Sequence, residues 1–156
     1  MKFILFSIIS VIIDQITKYI TLKSLKPIGS IEVLNGILSF TYVENRGAAF
    51  GILQNARWVF IIITVLAIAA IIGYVFKVKP TDKTLLASLS LILSGAVGNM
   101  IDRIFRGFVV DMIEVTFIDY PVFNFADCCV VVGAILLAVY IIFIYKEPVK
   151  EDNADE

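Results

Sequence analysis

The sequence predicts an all-α polytopic membrane protein with four transmembrane helices, and three observations carry that prediction. Of 156 residues, 60% are hydrophobic and 17% charged, against about a quarter charged in a soluble domain. Four apolar runs are each long enough to cross a bilayer. The unusual polar residues stand at the ends of those runs. The mean hydropathy is +0.94, and the length suits one domain. A net charge of −1 without a basic stripe argues against a nucleic-acid partner. The chain has no histidine, which removes Ser-His and Cys-His catalysis and His-based zinc sites. The two cysteines, Cys128 and Cys129, are adjacent inside an apolar run and read as small buried residues.

The first span, about 3–22, is broken by Asp14 and Lys18. Met1-Lys2 followed by Phe3–Ile13 has the look of a secretory signal peptide. Cleavage needs small residues before the cut, and the first alanine is Ala48. The segment is therefore expected to be retained as the first helix. The second span, about 58–76, carries no charge and at ~1.5 Å per residue covers roughly 28 Å, close to the hydrocarbon thickness. The third, about 85–102, runs into Gly98-Asn99, and the fourth, about 126–145, is interrupted only by Asp127 at its start. These spans make residues 1–146 a single membrane domain. Residues 147–156 are charged and read as a disordered cytoplasmic tail.

Four spans put both termini on one side and loops 23–57 and 102–125 on the other. Counting all Lys and Arg leaves the orientation open, but the short loop Lys77–Lys83 places the termini in the cytoplasm. Asn45 and Arg46 then lie in the first outer loop. Asn99, Asp102 and Arg103 close the third helix at that face, Asp111 lies in the second outer loop and Asp127 opens the fourth helix. In the first loop Gly36–Val43 alternates, with Leu38, Phe40 and Tyr42 on one side. That pattern is a strand with one aromatic face, suited to lie on the membrane surface or to cradle an extended peptide.

Polar groups at membrane depth are costly, so a set gathered at one face points to a site. Ser94 and Gly98 form a small-x-x-x-small pair for close helix packing. Asn99, Asp102 and Arg103 share a helix face. Asp102 reads equally as a structural partner of Arg103 or as part of a site, while Asn99 and Arg103 suit peptide carbonyls. Asp14 and Lys18 are four apart and can pair with each other. Asn124 and Asp127 fit a capping box, a role compatible with chemistry. Asp111, after Phe108-Val109-Val110, has no turn or cap duty. Should Asp111 and Asp127 meet, two poorly hydrated carboxylates would share one proton. One would activate a water and the other would hydrogen-bond a scissile carbonyl, which is aspartic-protease chemistry. The positive end of the fourth helix makes Asp127 the readier base. Spacing alone does not select this pair, since Asp14, Glu44, Asp102, Glu114 and Asp119 lie near the same face. A Ser–Lys dyad using Lys18 is a second possibility. A small proton- or ion-coupled transporter or a non-enzymatic assembly factor is a third, although a carrier places ionisable groups near the midplane.

Five segments, in order, resemble the lipoprotein signal peptidase family, bacterial signal peptidase II. They are Asp14-Gln15-Ile16-Thr17-Lys18, Glu44-Asn45-Arg46-Gly47-Ala48-Ala49-Phe50-Gly51, Gly98-Asn99-Met100-Ile101-Asp102-Arg103, Val109-Val110-Asp111 and Phe123-Asn124-Phe125-Ala126-Asp127. The resemblance implies four transmembrane helices with a small extracytoplasmic β-cradle and an outer-face amphipathic segment. It implies an aspartic endopeptidase of the bacterial cell membrane, without cofactor or metal. This would remove signal peptides from prolipoproteins just before a diacylglyceryl cysteine. It assigns catalysis to Asp111 and Asp127 and substrate contact to Asn45, Asn99, Arg103 and Asn124, and Asp14 and Lys18 match its first motif; by position Arg46 joins the substrate-binding candidates and Asp102 the supporting ones. The implied partners are the lipid-modified prolipoprotein and membrane lipids, and the protein is expected to be a monomer. Two departures are Met112, where the family commonly has an aromatic, and Cys128-Cys129, where other small residues are usual.

Overall fold

The computed structural model describes residues 2–48, 50 and 52–145. Four helices are long and apolar enough to cross a membrane, the number the sequence predicts. Helix α1 runs Lys2–Ile20 and passes into a π-helical turn at Thr21–Leu25. Helix α2 spans Arg57–Val78 and α3 spans Lys83–Phe105. Helix α4 spans Phe125–Val139, continued by a π-helical turn at Tyr140–Ile144. The helices outrun the apolar runs where a cap extends them. Asp82 accepts the Leu85 N–H at 2.9 Å and starts α3 ahead of its apolar stretch. Lys79, in the left-handed conformation, donates its N–H to the Val75 carbonyl and ends α2. The charged segment 147–156 lies outside the described residues.

Between lipid-facing helices there is little hydrophobic drive, so small residues and close van der Waals packing set the contacts. Helix α3 is central, and its buried face includes Ser88, Ser90, Ser94, Gly95, Gly98 and Asp102. A Cβ on Gly95 would collide with the Ala126 carbonyl of α4, and one on Gly98 would sit 2.5 Å from Asp14 Oδ2 of α1. Gly133 of α4 lies as close to α3, where a Cβ would be 2.8 Å from Ile92. The Ser94/Gly98 pair is thus part of a larger small-residue seam in which Gly95 and Gly133 make the α3–α4 approach. Ser7 of α1 donates to the Ser90 carbonyl at 3.2 Å. Helix α2 buries none of its described residues, and Ile62, Ile63 and Leu66 are each more than half exposed, as on a helix facing lipid.

Strands β1 (Ser30–Leu34), β2 (Leu38–Asn45) and β3 (Val109–Val115) form an antiparallel sheet in the order β1-β2-β3. Strand β2 begins later than the alternation suggested because Gly36, at φ +67, belongs to the hairpin turn. The alternation also breaks. Phe40 pairs with Ile113 but Val43 pairs with Asp111, leaving an extra residue on β2. This bulge moves Val43 and Asn45, rather than Tyr42 and Glu44, to the side of Asp111. Val110 and Met112 alternate with Asp111 and pack on Leu25.

The seam makes a checkable claim. Gly95→Ala should cost about 1–3 kcal/mol through overpacking and lower the melting temperature. Gly73→Ala on α2, where a Cβ meets nothing within 4 Å, should leave it unchanged or slightly raised.

Candidate active site

The deepest constraint on the site is a buried lysine. The Lys18 side chain is 0% exposed, and its ammonium has three donors to satisfy. They go to Asp14 Oδ2 at 2.9 Å, Asp102 Oδ2 at 3.3 Å and Asn99 Oδ1 at 2.8 Å. Each carboxylate partner is tied further. Asp14 Oδ1 accepts the Ala126 N–H at 3.0 Å, so α1 caps the second free amide at the start of α4. Asp102 Oδ2 accepts the Val110 N–H at 2.9 Å, which fixes β3 one residue before Asp111. Asp102 Oδ1 accepts from Arg106 and, at 3.3 Å, from Gln15. The partners of Asp102 are therefore Lys18 and Arg106 rather than Arg103.

Asn124 is buried at the N-cap of α4 and completes a capping box. Its Oδ1 accepts the Asp127 N–H at 3.0 Å, and its own N–H donates to Asp127 Oδ2 at 3.1 Å. The box sets the rotamer of Asp127. Its Oδ1 then accepts from the Asn99 amide at 2.7 Å. Asp111, 1% exposed, accepts from Asn45 at 2.9 Å through Oδ2 and from Asn124 at 2.6 Å through Oδ1.

Three asparagine amides thus converge on two carboxylates, and each has its orientation fixed by an obligate donor on its oxygen. Lys18 holds the oxygen of Asn99, the Asp127 N–H holds that of Asn124, and the Gly47 N–H holds that of Asn45 at 3.0 Å. Each NH₂ group must then face an aspartate. Among the described residues Asp111 and Asp127 share no direct hydrogen bond. The Asn124 side chain bonds to Asp111, and its backbone and side chain bond to Asp127.

Two cavities meet at this pair. One of about 410 Å³ reaches Asp127 and Asn99 and extends between Thr64 of α2, Gly95 of α3 and Val130 of α4. The other, about 360 Å³, reaches Asp111 beside Glu44 and Asp119. Asn45, Ala48, Pro121 and Val122 line both. Arg103 lines the first cavity, donates to the Gly47 carbonyl at 3.0 Å and stacks on Phe60 at 4.6 Å.

The structure brings together Asn45, Asn99, Asn124, Asp111 and Asp127, with Asp14, Lys18 and Asp102 behind them. It does not bring in Arg46, whose side chain is half exposed, pairs with Glu44 at 3.0 Å and stacks on Phe108. The strand bulge turns Asn45 to Asp111 and leaves the Arg46 side chain half exposed beside Glu44. Glu44 and Glu114, also candidates by position, are engaged by Lys26 and Thr41 respectively. No serine has a hydrogen bond to Lys18 among the described residues, and Ser88, Ser90 and Ser94 bond to helix carbonyls. Gln15 and Arg106 were not singled out by the sequence reading. Arg106 stands four residues after Asp102, a spacing that could have marked it.

Burial, joined by the charge of Asp127, pushes the Asp111 carboxyl up to about 7, against the opposing pull of Asn45, Asn124 and Lys18. Its folded value lies above the unfolded one, so the folded state binds the extra proton. Stability then falls as pH rises from about 4 to about 7 and levels off beyond. Asp111→Asn should remove that dependence, raising the melting temperature relative to wild type at pH 8 but not at pH 4, as thermal melts at the two pH values would read.

The chain has close relatives. A family model described as signal peptidase (SPase) II matches residues 6–143. The lipoprotein signal peptidase of Clostridium acetobutylicum is 41% identical over 150 residues, covering 94% of this chain and 94% of its own. That of Clostridium novyi (strain NT) is 42% identical over 142 residues, covering 89% and 96%. A solved bacterial membrane enzyme superposes with a TM-score of 0.85 at 36% identity, covering 94% of this chain and 93% of its own. With a family match across nearly the whole length, four spanning helices and relatives above 40% identity, the chain belongs to the signal peptidase II family.

Proposed function

We propose that this chain is an aspartic endopeptidase that removes signal peptides from lipid-modified prolipoproteins, cutting just before the diacylglyceryl cysteine. The carrying observation is the convergence of three oriented amides on Asp111 and Asp127. In this reading the protonated Asp111 hydrogen-bonds the scissile carbonyl oxygen. Asp127 accepts a proton from a water that attacks the carbonyl carbon. The tetrahedral intermediate collapses as Asp127 passes the proton it took from the water to the nitrogen, which leaves as an amine, while the new carboxyl stays with the signal peptide and Asp111 keeps its proton. Asn45, Asn99 and Asn124 hold both aspartates against rotation, so little reorganisation accompanies the reaction. Asn45, Asn99 and Arg103 also face substrate in the larger cavity. Asp14, Lys18 and Asp102 support the dyad from behind.

The cavity between α2, α3 and α4 suits the apolar part of a signal peptide entering from the bilayer. The Asp111 side, next to the sheet, suits the polar chain beyond the cut. The sheet would serve as the extracytoplasmic cradle and the segment between β2 and α2 as the amphipathic outer element. Residues 1–146 form one membrane domain in this account, with termini in the cytoplasm of a bacterial cell and the dyad at the outer face. Because both carboxylates and all three amides come from one chain, a monomer suffices. A carrier fits less well, since the charged cluster lies at one end of the helices and its groups hold one another.

Cleavage of a diacylglyceryl prolipoprotein by purified protein tests this. Asp111→Asn and Asp127→Asn should each lose roughly 10²–10⁴-fold in rate while remaining folded, and EDTA should leave wild type unaffected. Near-normal cleavage by either variant would remove that residue from the chemistry and revive a Ser–Lys mechanism.

A further inference from the structure

Behind the dyad lies a second, apolar groove of about 490 Å³. Ile20 and Thr21 of the first span form one wall, Ile31, Phe40 and Met112 of the sheet another, and Phe125 of α4 closes it. The groove shares no lining residue with either cavity at the aspartates. We propose that it is a seat for one acyl chain of an anionic phospholipid from the surrounding bilayer.

Four observations identify the occupant. First, Thr17, Ile20, Thr21 and Ser24 belong to the span Phe3–Leu25, so the mouth opens at membrane depth. Second, it is continuous with the lipid-facing stripe of α1, where Ile13, Ile16 and Ile20 are more than two-fifths exposed. Third, the sheet carries an apolar cross-strand row, Ile31–Phe40–Ile113, over this groove, beside a polar row, Glu32–Ser39–Glu114. One row suits hydrocarbon and the other water. Fourth, Lys23 stands in the π-helical turn that follows α1, stacked on Tyr19 and without a carboxylate partner among the described residues. A cation there suits a lipid phosphate, and the Ser24 hydroxyl can donate to an ester oxygen.

The substrate's own acyl chains are a poorer match. A lipid attached to a peptide at Asp111 and Asp127 would occupy the cavities that those residues line, and the groove shares no lining residue with them. A bilayer lipid enters directly at the mouth. The seated chain would press on Met112 and Phe125, which neighbour Asp111 and precede Asp127 by two residues. It would thereby hold the two elements that present the dyad.

The test is optical and does not depend on peptidase activity. The one native tryptophan, Trp58, is 68% exposed on α2 and reports general lipid contact. A second protein, Trp58→Phe with Ile28→Trp, reports the groove from its lining. Both are purified in detergent and titrated with brominated phosphatidylglycerol. Quenching of the groove tryptophan should saturate near one lipid per protein, while quenching of Trp58 keeps rising. Adding Ile31→Asp should abolish the saturating phase, and Lys23→Gln should raise the half-saturating concentration about fivefold. Brominated phosphatidylcholine should bind more weakly by a similar factor. Should Ile28→Trp fail to fold, Ile20→Trp serves as reporter at the same wall. Parallel, unsaturated quenching at both positions would overturn the seat, as would a saturating phase that survives Ile31→Asp. Equal affinity for the two lipids would overturn the anionic assignment.

Discussion

A lysine ammonium sealed between helices is the constraint on which the rest of the structure depends. An unpaired charge at that depth is prohibitively costly, so Lys18 survives only because its three donors meet Asp14, Asp102 and Asn99. Those acceptors in turn bind the Ala126 and Val110 amides. One cation therefore ties α1 to α3 directly, and through its partners to the start of α4 and to β3. Removing one member of such a buried pair typically costs about 3–5 kcal/mol, because the other charge is left uncompensated. The seam of small residues has the same logic. Gly98 is bare because Asp14 needs the space, and Gly95 is bare because the first turn of α4 does.

This anchoring carries through to chemistry by way of amide orientation. Lys18 can only donate, so Asn99 must present its oxygen to the ammonium and its NH₂ to Asp127. The capping box does the same for Asn124 toward Asp111, and the Gly47 N–H does it for Asn45. The aspartates are aimed by groups that are themselves aimed, the supported arrangement that precise catalytic geometry requires. The capping box sets the rotamer of Asp127 that the proposed chemistry would use. The dyad differs from a directly bonded carboxyl pair in having Asn124 between its members.

Much of this was legible in the sequence because the physics is local or strongly periodic. Apolar run length announced the four helices. The four-residue spacing announced the Asp14–Lys18 pair, and Asn124-x-x-Asp127 announced the cap. What escaped was set by long-range register. The extra residue on β2 decided that Asn45 faces Asp111 and that Arg46 faces Glu44, and alternation alone could not reveal a bulge. From sequence Asp102 reads equally as a partner of its neighbour Arg103 or as part of a site, and its pairing with Lys18 across helices has no local signal. The contribution of Pro121 and Val122 to both cavities comes from an irregular connection with no periodic signal.

A site built this way should need Asp111 protonated and Asp127 ionised in the same molecule. The pH dependence of kcat/KM for a diacylglyceryl prolipoprotein, measured with protein of verified fold, tests that pairing most directly. A falling alkaline limb with an apparent midpoint near 7 is expected, where Asp111 releases its proton. A profile flat from pH 5 to 9, or one that rises through that range as a lysine-activated nucleophile would, contradicts that pairing.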